Sequence, residues 1–174
     1  MNIGIVTCAD FPLLTDQEKP LIDLFAAKDI RITPLVWNAP GIDWESFDGL
    51  ILRSIWDYHL HVDDFFYWLD QLGHQNVRTF NSMEVVNWNR HKFYLRELAQ
   101  LGVSIIPTLF FQKGTAPDAQ LIKNQGWKIG VIKPAVSANA HLTESFSMDK
   151  LDQVIEQFGP LFEGRDWMVQ SFMP

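Results

Sequence analysis

Three short apolar runs, NIGIVT (2–7), RITPLVW (31–37) and GLILRS (49–54), are separated by segments with helical spacing, and this alternation is the strongest constraint on the fold. Between the first two, Thr15 or Asp16 is placed to cap a helix reaching about Lys28, with Leu21, Leu24 and Phe25 on one face. A second helix is predicted over about 62–72, with Phe65, Phe66, Trp68 and Leu69 as its buried face. Strands that alternate with helices in this way predict a parallel sheet in the first 80 or so residues.

The rhythm then changes. NSMEVVNWNRHKFYLRELAQLG (81–102) holds two helix starts: Asn81 with Glu84 has the spacing of a capping box, and Asn89 is placed to cap a second helix ending at Leu101–Gly102. Beyond it we expect a strand over 103–111, a helix near 117–125, a strand over 129–133, a helix near 149–158 and a strand over 166–172. The predicted fold class is α/β, a parallel-sheet domain over 1–80 joined by helices in 81–102 to a small α+β unit over 103–174.

Composition narrows the function. At 47% apolar and 20% charged residues the chain is globular. Its net charge of −7, with no Lys/Arg cluster, argues against a nucleic-acid partner, while a local basic pocket for a small anion stays open. The single cysteine, Cys8, allows no internal disulfide and reads as a small buried hydrophobe. The first lysine is Lys19, so the start reads as a strand and not as a signal peptide, and no apolar run approaches the ~18 residues of a membrane span. These features predict a cytoplasmic protein.

Four motifs carry chemistry. In NRHKFYL (89–95), a cap at Asn89 puts Arg90, His91 and Lys92 in a helical first turn, at the positive end of the dipole. Either a bound anion relieves that conflict or the side chains reach into water. In KIGVIKPAVSANAHLT (128–143), alternation places Ile129, Val131 and Lys133 on one face, Pro134 is expected to end pairing, and a loop of small residues follows. Ser137, Asn139 and Thr143 in that loop suit a backbone that approaches phosphate, or an ordinary surface turn.

In DWMVQSFMP (166–174), Gln170 lies inside an apolar strand and needs partners from backbone or from a ligand. In LRSIWDYH (52–59), Arg53, Ser54, Trp56, Asp57 and Tyr58 leave a strand's carboxyl end together, where open α/β sheets bind ligands. The competing reading is an Arg53–Asp57 pair with Trp56 in the core. His59 and His61 read as solvated, not as metal ligands.

Taken in order, VTCADFPLLTDQE, IDWESFDGLILRSIWDY, VNWNRHKFYL, GVSIIPTLF, IGVIKPAVSANAHLT and WMVQSFMP resemble the ATP-grasp superfamily with its glutathione-synthetase-like nucleotide fold, and within it the branch of the cycloserine-forming cyclo-ligase. The resemblance implies a Rossmann-like pre-ATP-grasp domain, then the small ATP-grasp subdomain. It also implies an ATP-dependent carboxylate–amine or cyclo-ligase that works through an acyl-phosphate, with an amino-acid-like or peptide-like substrate. Lys92 and Lys133 match the two lysines that contact ATP phosphates, and 135–143, with Ser137 and Asn139, matches the phosphate-covering loop. Gln170, Ser171 and Phe172 match the linker that holds adenine, and Arg53 to Tyr58 fall on the acceptor side.

The loop lacks the family's usual glycine. The family's Mg²⁺ ligands and acyl-phosphate-stabilising residue lie beyond the match, so no catalytic or metal-binding residue is assigned, and the 174 residues alone are expected not to catalyse. The alternative is a non-catalytic nucleotide-binding or interaction module. Self-association is expected, either through Trp167, Met168, Val169, Phe172 and Met173, read as an exposed edge strand, or by swapping of the 103–174 unit between copies.

Overall fold

The computed structural model describes residues 1–75 and 77–174. The chain divides into two units, Met1–Trp88 and Asn89–Pro174.

The first unit carries β1 (Asn2–Thr7), α1 (Pro20–Ala26), β2 (Arg31–Val36), β3 (Gly49–Ser54), α2 (Val62–His74) and β4 (Thr79–Phe80). The strands form one parallel sheet in the order β2-β1-β3-β4, as the alternation of strands and helices predicts. β1 is central and buried on both faces. Ile3 and Ile5 pack with Leu14 and Ile32 on one side, while Val6 joins Leu50, Trp37 and the α2 residues Phe65, Trp68, Leu69 and Leu72 on the other. Trp37 meets Phe65 edge-on at 5.4 Å between ring centroids. Gly4 is where two strands close in, since a Cβ there would stand 2.6 Å from Leu35 Cδ1 and 2.7 Å from Leu50 Cδ2. The two-residue strand β4 is too short to leave a periodic signal.

The second unit begins at the last residue of α3 (Met83–Asn89) and continues with α4 (Tyr94–Gln100), β5 (Thr108–Phe111), α5 (Ala119–Lys123), β6 (Ile129–Pro134), β7 (Glu144–Ser147), α6 (Leu151–Phe158) and β8 (Trp167–Ser171). Its sheet is antiparallel, in the order β5-β8-β6-β7. One face holds Phe111, Ile132, Phe146, Trp167 and Val169 against Ile122 of α5 and Leu151, Val154 and Phe158 of α6. Gly130 lets the Phe146 ring lie across β6, because a Cβ there would be 2.6 Å from Phe146 Cζ.

Several expectations are corrected. Asn89 closes α3 and does not cap α4, which starts at Tyr94 with no side-chain cap. Arg90, His91 and Lys92 therefore lie in the turn between two helices, and the helix-dipole argument for them falls away. Pro134 does not end pairing: it sits opposite Trp167, and the Ala135 N–H donates to the Asp166 carbonyl at 2.8 Å. Proline is tolerated because its missing N–H faces the side on which β7 pairs only as far as Ile132. The strand at 167–171 is not an exposed edge. Flanked by β5 and β6, it holds Trp167, Met168 and Val169 at 0% exposure, and only Phe172 and Met173 are exposed. An exposed strand is thereby removed as a ground for self-association.

Candidate functional site

The face of the second sheet opposite the α5–α6 core carries Lys133 and Gln170, two of the residues singled out in the sequence. Antiparallel register aligns Phe110, Met168 and Lys133 in one row, and Thr108, Gln170 and Val131 in the next. Gln170 is only 4% exposed, and its Nε2 donates to Thr108 Oγ1 at 2.7 Å. The amide is thus bound in part by a neighbouring strand's side chain.

Lys92 reaches this face from the α3–α4 turn. Its backbone N–H donates to the Ala135 carbonyl at 3.0 Å, and its Nζ donates to the Ser137 carbonyl at 2.6 Å. Burial, followed by the nearby Lys133 ammonium, lowers the Lys92 pKa to about 8. Burial also lowers that of Lys133. Among the described residues neither lysine forms an ion pair. Two half-buried like charges without a carboxylate between them are costly, and an anion would relieve that cost.

The loop after β6 is folded on itself. Ser137 Oγ donates to the His141 carbonyl at 2.9 Å, and Thr143 Oγ1 donates to the same carbonyl at 3.4 Å. Asn139, Ala140 and Leu142 all take left-handed conformations, at φ of 51°, 55° and 51°. The loop's sharp turns are thus made without glycine, at a cost of about 1 kcal/mol or more for each of the two apolar residues. Ser171 follows Gln170 with its N–H donated to the Pro107 carbonyl at 3.0 Å, and Phe172 is 42% exposed.

In the first unit, the residues leaving β3 are arranged around a carboxylate that the sequence reading missed. Glu18 is 5% exposed and accepts from Arg53 Nε at 2.8 Å, from Thr15 Oγ1 at 2.9 Å, from the Thr15 N–H at 3.2 Å and from Ser54 Oγ. Burial pushes the Glu18 carboxyl up, but hydrogen bonds from Ser54 and Thr15 and the Arg53 guanidinium outweigh it and the net direction is down. The signal was the T-x-x-E spacing of Thr15 and Glu18.

Arg53 pairs with Glu18 and not with Asp57, whose Oδ1 instead accepts from Trp37 Nε1 at 2.8 Å. Trp56 is 43% exposed and meets Phe11 edge-on at 5.0 Å, so it is not core. Tyr58 packs on Phe65 at 5.1 Å, and burial raises its pKa. His59, expected in solvent, is buried at 9% exposure in the turn Tyr58–Leu60. Among the described residues no group of three or more His, Cys, Asp or Glu is placed to hold a metal ion, and no helix is long and apolar enough to cross a membrane.

Residues 3–81 match the family model of the N-terminal domain of D-cycloserine synthetase DcsG. The cycloserine biosynthesis protein DcsG of Streptomyces lavendulae is 31% identical over 115 residues, which are 65% of this chain and 38% of that protein. The crystal structure of D-cycloserine synthetase DcsG superposes with a TM-score of 0.86 at 21% identity, covering 99% of this chain and 60% of that one. A RimK domain ATP-grasp protein from Sphaerobacter thermophilus gives 0.71 at 16% identity, covering 100% and 65%. The D-alanine–D-alanine ligase of Bacillus anthracis gives 0.65 at 13% identity, covering 100% and 58%. The chain therefore spans less than two thirds of the length of these relatives.

Over nearly its whole length the chain shares the fold of part of each of these structures, an ATP-grasp protein among them. Sequence similarity to D-cycloserine synthetase covers residues 3–81 against the model of its N-terminal domain and 115 residues against the Streptomyces lavendulae protein.

Proposed function

We propose that the chain supplies the first part of the ATP site, and part of the acceptor site, of an ATP-dependent carboxylate–amine or cyclo-ligase that acts through an acyl-phosphate. One observation carries the reading. Lys92 and Lys133, 41 positions apart in sequence, bring their ammonium groups close enough for one to depress the other, on the sheet face that also bears Gln170.

Lys92 and Lys133 would hold the phosphates of ATP, and the loop with Ser137 and Asn139 would close on them through its backbone N–H groups. Gln170, Ser171 and Phe172 would receive the base, Phe172 by its exposed ring. When bound, ATP supplies the phosphoryl group that activates a carboxylate. The residues here would bind and orient it. In the first unit, Arg53 offers its outer nitrogens to an amino-acid-like or peptide-like acceptor, with Ser54, Trp56, Asp57 and Tyr58 around it. A cytoplasmic location fits this chemistry, since ATP is made and kept there.

The test is titration of the 174-residue chain with the non-hydrolysable analogue AMP-PNP. Lys133→Met should weaken binding by about tenfold or more, the loss of one charge-assisted contact. Equal affinity of the variant and the parent chain overturns the assignment.

A further inference from the structure

Lys92 stands in a turn, not in a helix, so something other than helical hydrogen bonding must set where its ammonium points. His91 is joined to the start of β8: its Nε2 lies 2.8 Å from Asp166 Oδ2. Its Nδ1 accepts the Phe93 N–H at 3.3 Å. An acceptor at Nδ1 leaves the proton on Nε2, so the neutral ring satisfies both partners at once. The ring also meets Phe93 edge-on at 4.6 Å, and Phe93 meets Phe110 of β5 at 5.1 Å.

Asp166 is the shared anchor. Its Oδ1 accepts the Lys113 N–H at 2.7 Å, and its backbone carbonyl accepts the Ala135 N–H at 2.8 Å. Ala135 in turn accepts the Lys92 N–H at 3.0 Å. The segment after β5, the end of β6 and the lysine turn are thus tied to one aspartate.

We propose that His91 and Asp166 are the positioning residues for Lys92: the neutral imidazole, held by the carboxylate, locks the α3–α4 turn so that the Lys92 ammonium faces Lys133 and the loop after β6. A neutral donor suits the place, because a cation there would add a third positive charge beside two that already repel. Burial first of all, with Lys92 and Arg90, lowers the His91 pKa against the opposing pull of Asp166. As a statement about nucleotide binding, the proposal rests on the reading of Lys92 as a phosphate ligand.

The experiment compares His91→Phe, which keeps a ring against Phe93 but cannot donate, with His91→Gln, which can still donate to Asp166. AMP-PNP affinity should fall about tenfold in His91→Phe and return to within about threefold in His91→Gln, with melting temperatures alike. His91→Phe should add nothing to Lys92→Met, because the two act through one side chain. Parent-like binding by His91→Phe, equal losses in the two His91 variants, or full additivity with Lys92→Met overturns the proposal.

If neither the parent chain nor any variant binds AMP-PNP, it is the nucleotide reading that fails. A crystal structure of His91→Phe then decides the positioning by itself: Lys92 Nζ still on the Ser137 carbonyl overturns it, and a displaced Nζ supports it. Should His91→Phe not fold, Asp166→Asn takes its place with the same outcomes.

Discussion

Lys92 Nζ donates to the Ser137 carbonyl across 45 positions of sequence, at 2.6 Å. A charged donor that could bind phosphate is thereby engaged with the backbone of the loop after β6. Ligand binding must exchange this contact for a stronger one.

That arrangement sets stability against function. Lys92→Met removes a half-buried charge next to Lys133 and loses one hydrogen bond. The variant should melt at a higher temperature than the parent chain by a few degrees, roughly the effect of 1 kcal/mol, while binding AMP-PNP far more weakly. A melting temperature below that of the parent would show that the Ser137 contact outweighs the repulsion.

The same lysine predicts a pH dependence. Its folded pKa is about 8, below the ordinary 10.5, so the unfolded chain holds the extra proton between those values. Stability therefore rises as pH increases from about 8 towards 10.5. Chemical denaturation across that range should show the rise in the parent chain and lose most of it in Lys92→Met. Equal slopes for the two proteins would contradict the assignment.

Glu18 acts in the opposite pH range. With its folded pKa below 4.5, the stability it contributes is present above that value and is lost as pH falls through the folded one. Glu18→Ala leaves Ser54 and Thr15 donors without their acceptor and should cost about 1–3 kcal/mol. Urea denaturation at neutral pH measures this, and a change below about 0.5 kcal/mol would match an ordinary surface site instead.

Ala140 occupies a left-handed conformation at φ 55°. Ala140→Gly relieves that cost but adds backbone entropy to the unfolded chain, and a net gain of about 0.5 kcal/mol is expected. A loss of about 1 kcal/mol or more would mean that the alanine methyl packs to greater effect than the strain it brings.

β8 gives a contrast within one strand and its flank. Trp167→Ala should cost about 3–5 kcal/mol, whereas Phe172→Ser, at an exposed ring, should stay within about 0.5 kcal/mol. Similar losses for both would contradict the burial that separates them.

The legible parts of the molecule are those written as runs. The three apolar segments at 2–7, 31–37 and 49–54 stand out as strands because parallel strands covered on both faces need continuous apolar residues. Lys133 was legible through its parity with Ile129 and Val131. β7 was not, since only Phe146 of its four residues is apolar. Asn89 misled because a residue suited to start one helix can equally finish another. Glu18 escaped because Thr15 was read only as a helix cap and not with the glutamate three positions on, and because Arg53 lies 35 positions away from Glu18.

Sheet order also has a consequence for synthesis. β8 is the last strand of the second sheet to be synthesised, yet it lies between β5 and β6, and among the described residues β5 pairs with no other strand. All four strands of the first sheet are complete by Phe80, so that unit can close while translation continues. The second cannot close before Ser171 has emerged. Until then β5 and the β6–β7 hairpin are unmatched pieces with open edges, and a ribosome stalled before Trp167 would release a folded first unit trailing an aggregation-prone tail.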